Sequence, residues 1–253
     1  MSARRLLSSA LVLLLAGCAI AIPPPREAIP DDARRAIALL QARWSAFTDF
    51  RSLADVVVQR GGERHALAGV VLARAPGSFR FEGLSPFGQP FLFLVVHDGR
   101  LTAYNAAANQ ATVGPATAET AARLLSLPVE PENLVAAVAG LAVPPRDLRA
   151  AEIMPPDERG PSLTMFGAVH QQRVWMDFAT GVVSQAEITG GRAAARLTYQ
   201  RGDDGRVTGF DATASEGYAT GTVRYRNPEL NPGLPPERFM LTVPATAEVE
   251  HLR

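Results

Sequence analysis

The sequence predicts an α+β protein: one strongly curved antiparallel sheet of about eleven strands, with a helical lid over its concave face. Three observations indicate this fold class. Short apolar runs are separated by glycine-containing turns, which is typical of strands that pair in sequence order. One helical pattern precedes these runs, and two more interrupt them. A sheet of this size curls, so its concave face needs a cover.

Composition and charge exclude several classes of protein. Apolar residues make up 47% of the 253-residue chain, which is too rich for a disordered protein. The 25 basic residues are all arginine and balance 25 acidic ones, so no broad basic field attracts nucleic acid. A single cysteine excludes a disulfide framework and a cysteine-rich metal cluster. We therefore expect a globular protein with a substantial core and no nucleic-acid partner.

The N-terminus has the pattern of a secretory signal. Arg4 and Arg5 precede an apolar run over residues 6–16, which is too short to span about 30 Å of hydrocarbon as a helix. The segment Leu15-Ala16-Gly17-Cys18 resembles the bacterial lipobox, in which the cysteine receives a diacylglyceryl group and, after cleavage, a third acyl chain. The alternative is an ordinary cleavage site near Cys18 and a secreted protein without an anchor.

A lipobox divides the chain into three parts. We expect a signal peptide over residues 1–17, a lipidated tether over 18–30 and one folded domain over 31–253. Several acyl chains on Cys18 would anchor the protein firmly, since each buried methylene contributes about 0.8 kcal/mol. No aspartate follows the cysteine to mimic the inner-membrane retention signal. The resemblance therefore implies an outer-membrane lipoprotein that faces the periplasm.

The first helix is predicted at the start of the domain. Asp31 and Asp32 follow Pro30 and supply N-cap chemistry. Apolar residues then recur at spacings of three and four, which places one apolar stripe on a helix of about five turns. The stripe consists of Ala33, Ala36, Ile37, Leu40, Trp44 and Phe47. Such a face has to cover another part of the protein.

Four glycine-containing turns predict the hairpins of the sheet. They are Gly61-Gly62, Asp98-Gly99, Gly190-Gly191 and Asp204-Gly205. The apolar runs beside them are Leu53–Arg60, Glu63–Arg74, Phe91–Val96, Leu101–Tyr104, Val182–Ile188, Ala193–Tyr199 and Val207–Thr213. The two helical patterns in the middle of the chain are Thr117–Leu127 and Pro131–Leu141.

The most apolar segment carries an aromatic residue in a turn. Phe79 and Phe81 alternate with polar residues, which indicates a strand with one buried face. The run Phe91–Val96 does not alternate, which indicates a strand buried on both faces. Between them, Ser85-Pro86-Phe87-Gly88 has turn chemistry. Phe87 either folds back onto the core or forms an exposed tip, whose burial against a membrane or partner is worth about 1.5–3 kcal/mol.

The tip and the elements around it match a known pattern. The matching residues are the strands around the tip, Asp98-Gly99, Leu124–Pro128 and the helical stretch from Asn133 to Leu141. Together they resemble the outer-membrane lipoprotein receptor family LolB, within the LolA/LolB-like superfamily. In that family the tip is Pro-Leu-Gly, and its protruding leucine helps to deliver lipoproteins into the membrane. The resemblance implies the same membrane-insertion role for Pro86, Phe87 and Gly88, with phenylalanine in place of leucine.

The family fold is an unclosed β-barrel with a helical lid over an apolar cavity for acyl chains. The resemblance implies that the chain binds lipoprotein acyl chains or another lipid, receives them from a LolA-like periplasmic carrier and transfers them to the outer membrane. We expect a monomer without a cofactor. Aromatic side chains are the candidates to line the cavity, and ordinary core packing is the alternative for each. They are Phe79, Phe81, Phe91, Phe93, Tyr104, Trp175, Phe178, Tyr199, Trp44 and Phe47.

The sequence contains no supported catalytic or metal-binding pattern, so we do not expect an enzyme or a metal. Residues 83–87 lack the final glycine of a G-x-S-x-G nucleophile turn. The four histidines lie far apart in sequence, at His65, His97, His170 and His251. Asp157 lies in a proline-rich stretch that we expect to be a solvated loop. The alternatives to a lipid carrier are a lipid-anchored scaffold or envelope-assembly protein of the same fold, and an anchored hydrolase.

Overall fold

The computed structural model describes residues 24–125, 129–190, 194–214 and 219–252, so Cys18 and the expected signal peptide lie outside the described residues. The helices are α1 (Asp31–Ser45), α2 (Ala118–Leu125) and α3 (Pro131–Val138), and a short 3-10 helix spans Pro236–Phe239. The strands are β1 (Asp49–Arg60), β2 (Glu63–Arg74), β3 (Ser78–Leu84), β4 (Pro90–His97), β5 (Arg100–Asn105), β6 (Gln110–Pro115), β7 (Ala150–Asp157), β8 (Gly160–Phe166), β9 (Gln171–Met176), β10 (Val183–Thr189), β11 (Ala195–Arg201), β12 (Val207–Ala214), β13 (Ala219–Leu230) and β14 (Glu248–His251).

The strands described form one curved sheet with fourteen members, in the order β14-β6-β5-β4-β3-β2-β1-β13-β12-β11-β10-β9-β8-β7. Neighbours pair antiparallel, except that β14 runs parallel to β6. In the part of the chain that is described, β14 and β7 form the two edges, and the sheet stays open between them. The predicted fold class is confirmed. The sheet has fourteen strands where about eleven were predicted.

Two predicted hairpins have the turn geometry that their glycines suggest. Gly61 and Gly62 have φ values of 56° and 88° and connect β1 to β2, and Asp98 and Gly99, with 48° and 71°, connect β4 to β5. Two consecutive positive φ values belong to the type I′ turn, whose twist matches that of an antiparallel hairpin. The strands beside Gly190 and beside Asp204-Gly205 also pair as predicted, β10 with β11 and β11 with β12.

The N-cap of helix α1 lies one residue earlier than predicted. Pro30 occupies the N-cap position and makes no side-chain capping hydrogen bond, so Asp31 and Asp32 lie in the first turn. There their carboxylates face the positive end of the helix dipole, which is favourable without a cap. The predicted apolar stripe is buried through Leu40. Phe47, the last residue of that stripe, lies beyond the helix and is buried in the loop before β1.

Strand register divides the sheet into two faces. Ala54 of β1, Gly69 of β2 and Gly83 of β3 lie directly opposite one another and therefore share a face. We call this the inner face, because the main hydrophobic cluster joins it to α1 and α3. Helix α3 ends at Val138, earlier than the predicted Leu141, and the chain continues buried through Val143. The helical cover of the sheet is therefore part helix and part extended chain.

A C-terminal segment, residues 231–247, covers part of the opposite, outer face, and we call it the strap. Its Leu234 and Phe239 are buried against Leu72 of β2 in a second hydrophobic cluster. The Phe239 ring also stacks on His97, with ring centroids 6.2 Å apart. After the strap the chain forms β14 on the free edge of β6. The run Phe91–Val96 was predicted to be buried on both faces, but only Val95 and Val96 are buried, and the residues nearer the β3–β4 loop are half-buried.

Candidate functional site

The loop between β3 and β4 carries a fully projecting aromatic side chain. Phe87 is 92% exposed. The loop beneath it is closed by two backbone hydrogen bonds, from Ser85 N to Gln89 O and from Gly88 N to Ser85 O, each 2.8 Å long. Gly88 has a φ of 77°, in the left-handed region that glycine adopts without strain. The phenylalanine is therefore held in solvent by an ordered loop, and it does not fold back onto the core.

The apolar inner face loses its cover toward this loop. We call the sheet end that carries the β3–β4 loop the tip end. On β1, exposure rises from 0% at Ala54, through half-buried Val56, to 39% at Val58. The same change occurs on β3, where Phe79 is 6% exposed and Phe81 is half-buried. Similar half-buried inner-face side chains are Leu67, Leu92, Leu94, Leu197, Phe210 and Val223. The uncovered apolar surface thus lies at the same end of the sheet as Phe87.

Two inner-face glycines give Phe81 its position. A methyl group added at Gly69 would lie 2.5 Å from Phe81 Cε2 and 2.6 Å from the Glu82 carbonyl oxygen. A methyl at Gly83 would lie 2.6 Å from Leu67 Cδ1. The Phe81 ring therefore lies close to Gly69 of β2, where a larger residue would displace it. This arrangement keeps the ring at the boundary between the covered and uncovered parts of the inner face.

Six of the ten aromatic residues predicted to line a cavity contact the main hydrophobic cluster. These are Phe79, Phe81, Tyr199, Trp44, Phe47 and Phe178. Trp44 and Phe47 stack on each other, with ring centroids 5.5 Å apart. Phe91 lies where the pairing of β3 and β4 shifts register.

The other three candidates lie on the outer face. Phe93 pairs with Tyr104 and with outer-face Glu82, and the two aromatic rings stack 6.0 Å apart. Trp175 alternates with Val174 and Met176, which belong to the inner cluster. The physical reason is the period of two along a strand, which sends neighbouring side chains to opposite faces. Phe93, Tyr104 and Trp175 therefore do not face the interior with Phe79.

Trp175 is nevertheless only 1% exposed, because charged side chains cover it. Its indole nitrogen donates to both carboxylate oxygens of Asp157, at 2.9 and 3.1 Å. The guanidinium groups of Arg173 and Arg159 lie over its ring, 4.3 and 5.5 Å from the centroid. The main-chain N–H of Arg159, the Trp175 side chain and the nearby arginine charges lower the pKa of Asp157. Asp157 is the last residue of strand β7, so the stretch that was expected to be a loop is an edge strand. Its prolines lack an N–H group, which an edge strand tolerates because one of its sides has no neighbouring strand.

Three side chains from the far half of the sheet hold the end of α3. Tyr225 Oη donates to Val138 O at 2.9 Å, Tyr199 Oη donates to Leu141 O at 3.4 Å, and Arg201 Nη2 donates to Gly140 O at 2.9 Å. A helix end leaves its last carbonyls without partners, and these donors satisfy them. Burial raises the pKa of both tyrosines. The lid is thereby fixed to β11 and β13.

The covered part of the inner face is bordered by recesses that open to the surface. One, of about 430 Å³, lies beside the start of α3 and is lined in part by Pro131, Val143 and Ile188. Another, of about 330 Å³, lies between the end of α1 and the β11–β12 turn and is lined in part by Phe47 and Phe50. Both volumes fall in the range of small-molecule sites.

The segment before α1 is attached to the domain near β7. Arg149 Nη1 donates to Pro24 O at 3.0 Å, and Glu27 N donates to Arg149 O at 2.8 Å. Arg149 also binds the Asp147 carboxylate at 3.0 Å, and that carboxylate accepts from Arg26 at 2.7 Å. We call these contacts the tether clamp. The chain that leads to Cys18 is thus fixed from its first described residue.

Neither a metal centre nor a membrane-crossing helix is found among the described residues. No three His, Cys, Asp or Glu side chains in the described ranges are grouped so that they could hold a metal ion. His97 and His65 instead contact neighbouring polar groups, Ser78 Oγ at 3.0 Å and Glu63 at 3.5 Å respectively. Over the same ranges, no helix is long and apolar enough to cross a membrane.

Comparisons of the sequence with protein families and with curated proteins find no match. The fold, however, is found among solved structures. A Vibrio parahaemolyticus domain named for outer membrane lipoprotein sorting is 13% identical, with a TM-score of 0.54, over 82% of this chain and 97% of that one. A LolA superfamily protein from Nitrosomonas europaea is 12% identical over 83% and 97%, with a TM-score of 0.53. The fold is LolA-like. A DUF1329 family protein from Desulfovibrio piger shares it, at 13% identity over 83% and 95%, with a TM-score of 0.58.

Two features of the structure had no signal in the sequence. The tether clamp joins residues more than 120 positions apart, through an arginine that nothing in the local pattern distinguishes. The arginines beside the 330 Å³ recess, Arg43 and Arg201, come from a helix and a distant strand. A long-range pairing of this kind depends on how the sheet curves, which strand patterns do not specify.

Proposed function

We propose that this protein is an outer-membrane lipoprotein, anchored through Cys18 and facing the periplasm, that binds acyl chains at the tip end of the inner face and passes them to the membrane. The cargo would be lipoproteins, or a related lipid, delivered by a LolA-like periplasmic carrier. The observation that supports this function is the loss of cover along the inner face toward Phe87. The name of the Vibrio protein with the same fold, which refers to lipoprotein sorting, also supports the proposal.

The energetics of such a transfer require no catalytic centre. An acyl chain that leaves a carrier for the tip end exchanges one apolar environment for another, so most of the transfer free energy cancels. Half-buried Val56, Leu67 and Phe81 offer that environment without the need to open the packed core. The net direction then follows from small differences in affinity between carrier, protein and bilayer. Phe87 would contact the bilayer while the chain moves.

The tether clamp limits how far the domain can stand from an anchor at Cys18. Five residues lie between Cys18 and Pro24, the first clamped residue, so six Cα-to-Cα steps join the two. Fully extended, they reach at most about 20 Å. Without the clamp, the whole segment up to α1 would extend this reach by about another 20 Å. A clamped tether would therefore keep the Arg149 region, and with it the domain, close to the bilayer surface.

A binding experiment tests this function with two matched variants. The mature chain from residue 18, with Cys18→Ser to prevent lipidation, is titrated with a fluorescent fatty-acyl probe. Val58 and Leu53 are equally exposed, at 39% and 40%, on opposite faces of β1. We expect saturable binding that Val58→Glu reduces at least tenfold and Leu53→Glu leaves unchanged. Absence of binding by the folded protein would contradict the proposal and favour a lipid-anchored scaffold.

A further inference from the structure

The recess at the end of the sheet opposite the tip end carries an excess of positive charge. It is lined by Arg43 from α1 and by Arg201 and Arg206 beside the β11–β12 turn, and the single carboxylate among its lining residues is that of Asp204. Asp204 pairs with Arg206, at 3.4 Å. Arg43 and Arg201 form no ion pair with an acidic side chain of the described residues. We call this the arginine recess.

Both arginines are satisfied only in part by neutral groups. Arg43 Nη1 donates to Thr180 O at 3.2 Å, and Arg201 donates to Gly140 O, Val183 O and Gly205 O at 2.9, 2.8 and 3.1 Å. The Nε atom of each is buried and has no hydrogen-bond partner in the described part of the chain. Burial and the neighbouring charge of Arg43 lower the pKa of Arg201. Two partly desolvated cations side by side are unfavourable unless an anion joins them.

The remaining wall of the recess is apolar. Phe47, Phe50 and Leu141 are buried beneath it, and Leu230, which is 56% exposed, lies at its mouth. A small inorganic anion would satisfy the arginines and leave this apolar wall in water. A ligand with an anionic head and a hydrocarbon tail would use both parts of the recess.

We propose that the arginine recess binds the anionic head of a lipid, a carboxylate or a phosphate, with the start of its acyl chain against Phe47 and Phe50. The volume of about 330 Å³ holds a headgroup and part of one chain, not a whole diacyl lipid. This site is separate from the tip end, because β1 begins and β13 ends beside it, and it does not depend on the transfer function. The bidentate geometry of guanidinium suits both oxyanions.

Calorimetric titration of the mature Cys18→Ser chain with laurate, neutral monolaurin and inorganic phosphate tests the site. The Val58→Glu background removes the contribution of the tip end. We expect laurate to bind at least tenfold more tightly than monolaurin or phosphate, and its affinity to fall with added salt. Monolaurin binding as tightly as laurate would overturn the anion site, and phosphate binding as tightly would overturn the lipid assignment.

Variants on α1 then locate the binding. Arg43→Gln removes a guanidinium that makes one hydrogen bond, so the fold should survive, as thermal unfolding can verify. We expect laurate affinity to drop at least tenfold while monolaurin binding stays unchanged. Arg34→Gln, on the same helix but exposed and paired with Asp31, serves as the matched control and should change neither affinity. Equal loss in both variants, or no loss in Arg43→Gln, would refute the assignment of the recess.

Discussion

The hydroxyl of Tyr225 donates a 2.9 Å hydrogen bond to the carbonyl oxygen of Val138, which joins strand β13 to the last residue of helix α3. Removal of this donor with Tyr225→Phe leaves a carbonyl near the end of a buried helix without its partner. We expect the free energy of unfolding at pH 7 to fall by about 1–3 kcal/mol. Chemical denaturation measures it. An unchanged value would show that the hydroxyl does not hold α3.

The free energy of unfolding should decrease in alkali because of the same tyrosine. Burial raises the pKa of Tyr225 and Tyr199 in the folded protein, whereas an unfolded tyrosine ionises near pH 10. Stability from these groups is therefore complete below pH 10 and is lost as the pH rises above it, because the unfolded chain then releases protons that the folded chain retains. Tyr225→Phe should show a smaller decline above pH 10 than the wild type. A parallel decline in both proteins would contradict this.

Phe87 should govern contact with lipid bilayers. We expect Phe87→Glu to weaken vesicle binding of the mature Cys18→Ser chain by roughly tenfold to a hundredfold, since burial of a phenylalanine is worth about 1.5–3 kcal/mol. Vesicle flotation measures the bound fraction. Met240→Glu is the control, because Met240 is 65% exposed but lies on the strap. In cells, the first variant should also alter the localisation of other lipoproteins, and unchanged localisation would argue against a role in insertion.

Gly69 should tolerate no side chain. Gly69→Ala places a methyl group against the Phe81 ring and the Glu82 carbonyl, so either the ring or the strand has to move. We expect the free energy of unfolding to fall by about 1–3 kcal/mol. Gly221→Ala is the matched control on the inner face of β13, where the nearest atom outside the strand is 3.8 Å away. Equal stability of the two variants would show that the Phe81 contact is not restrictive.

Arg149 should protect the segment before α1. With Arg149→Ala, the charge-assisted hydrogen bond to Pro24 O is lost, and we expect the Glu27 amide to exchange its hydrogen at least tenfold faster. Hydrogen-exchange mass spectrometry of the mature Cys18→Ser chain measures this. Arg146→Ala is the control, because Arg146 binds Glu132 and makes no contact with the segment among the hydrogen bonds described. No difference between the variants would mean that the clamp contributes little.

The hairpins and α1 could be predicted from sequence because their signals are local. Gly61-Gly62 and Asp98-Gly99 adopt the backbone angles that their turns demand, and the stripe of α1 through Leu40 is buried. Strand β7 was missed because two consecutive prolines, Pro155 and Pro156, are not expected in a central strand and therefore indicated a loop. An edge strand accommodates both prolines. Strand β14 was missed because it is short and has four exposed residues.

The candidate site was predicted less completely. Phe87 could be identified because a large aromatic residue in a proline–glycine turn is unusual. The candidate cavity residues could not be assigned to the inner or the outer face, because the positions of aromatic residues in the sequence do not show which face of a strand packs against the helices. Phe93 and Phe81 look alike in sequence, yet one stacks on the outer face and the other on the inner face. Only the register between β3 and β4 separates them.

The strap restricts which strands can move when a large ligand binds. It begins after β13, crosses the outer face of β3 and β4, and ends in a strand bonded to β6. The segment from the strap to β14 therefore contacts β2, β3, β4 and β6 from the outer side, whereas no comparable segment covers the outer side of β7 to β12 in the described chain. If the sheet opens to admit a large ligand, strands β7 to β12 should therefore move while strands β2 to β6 keep their positions.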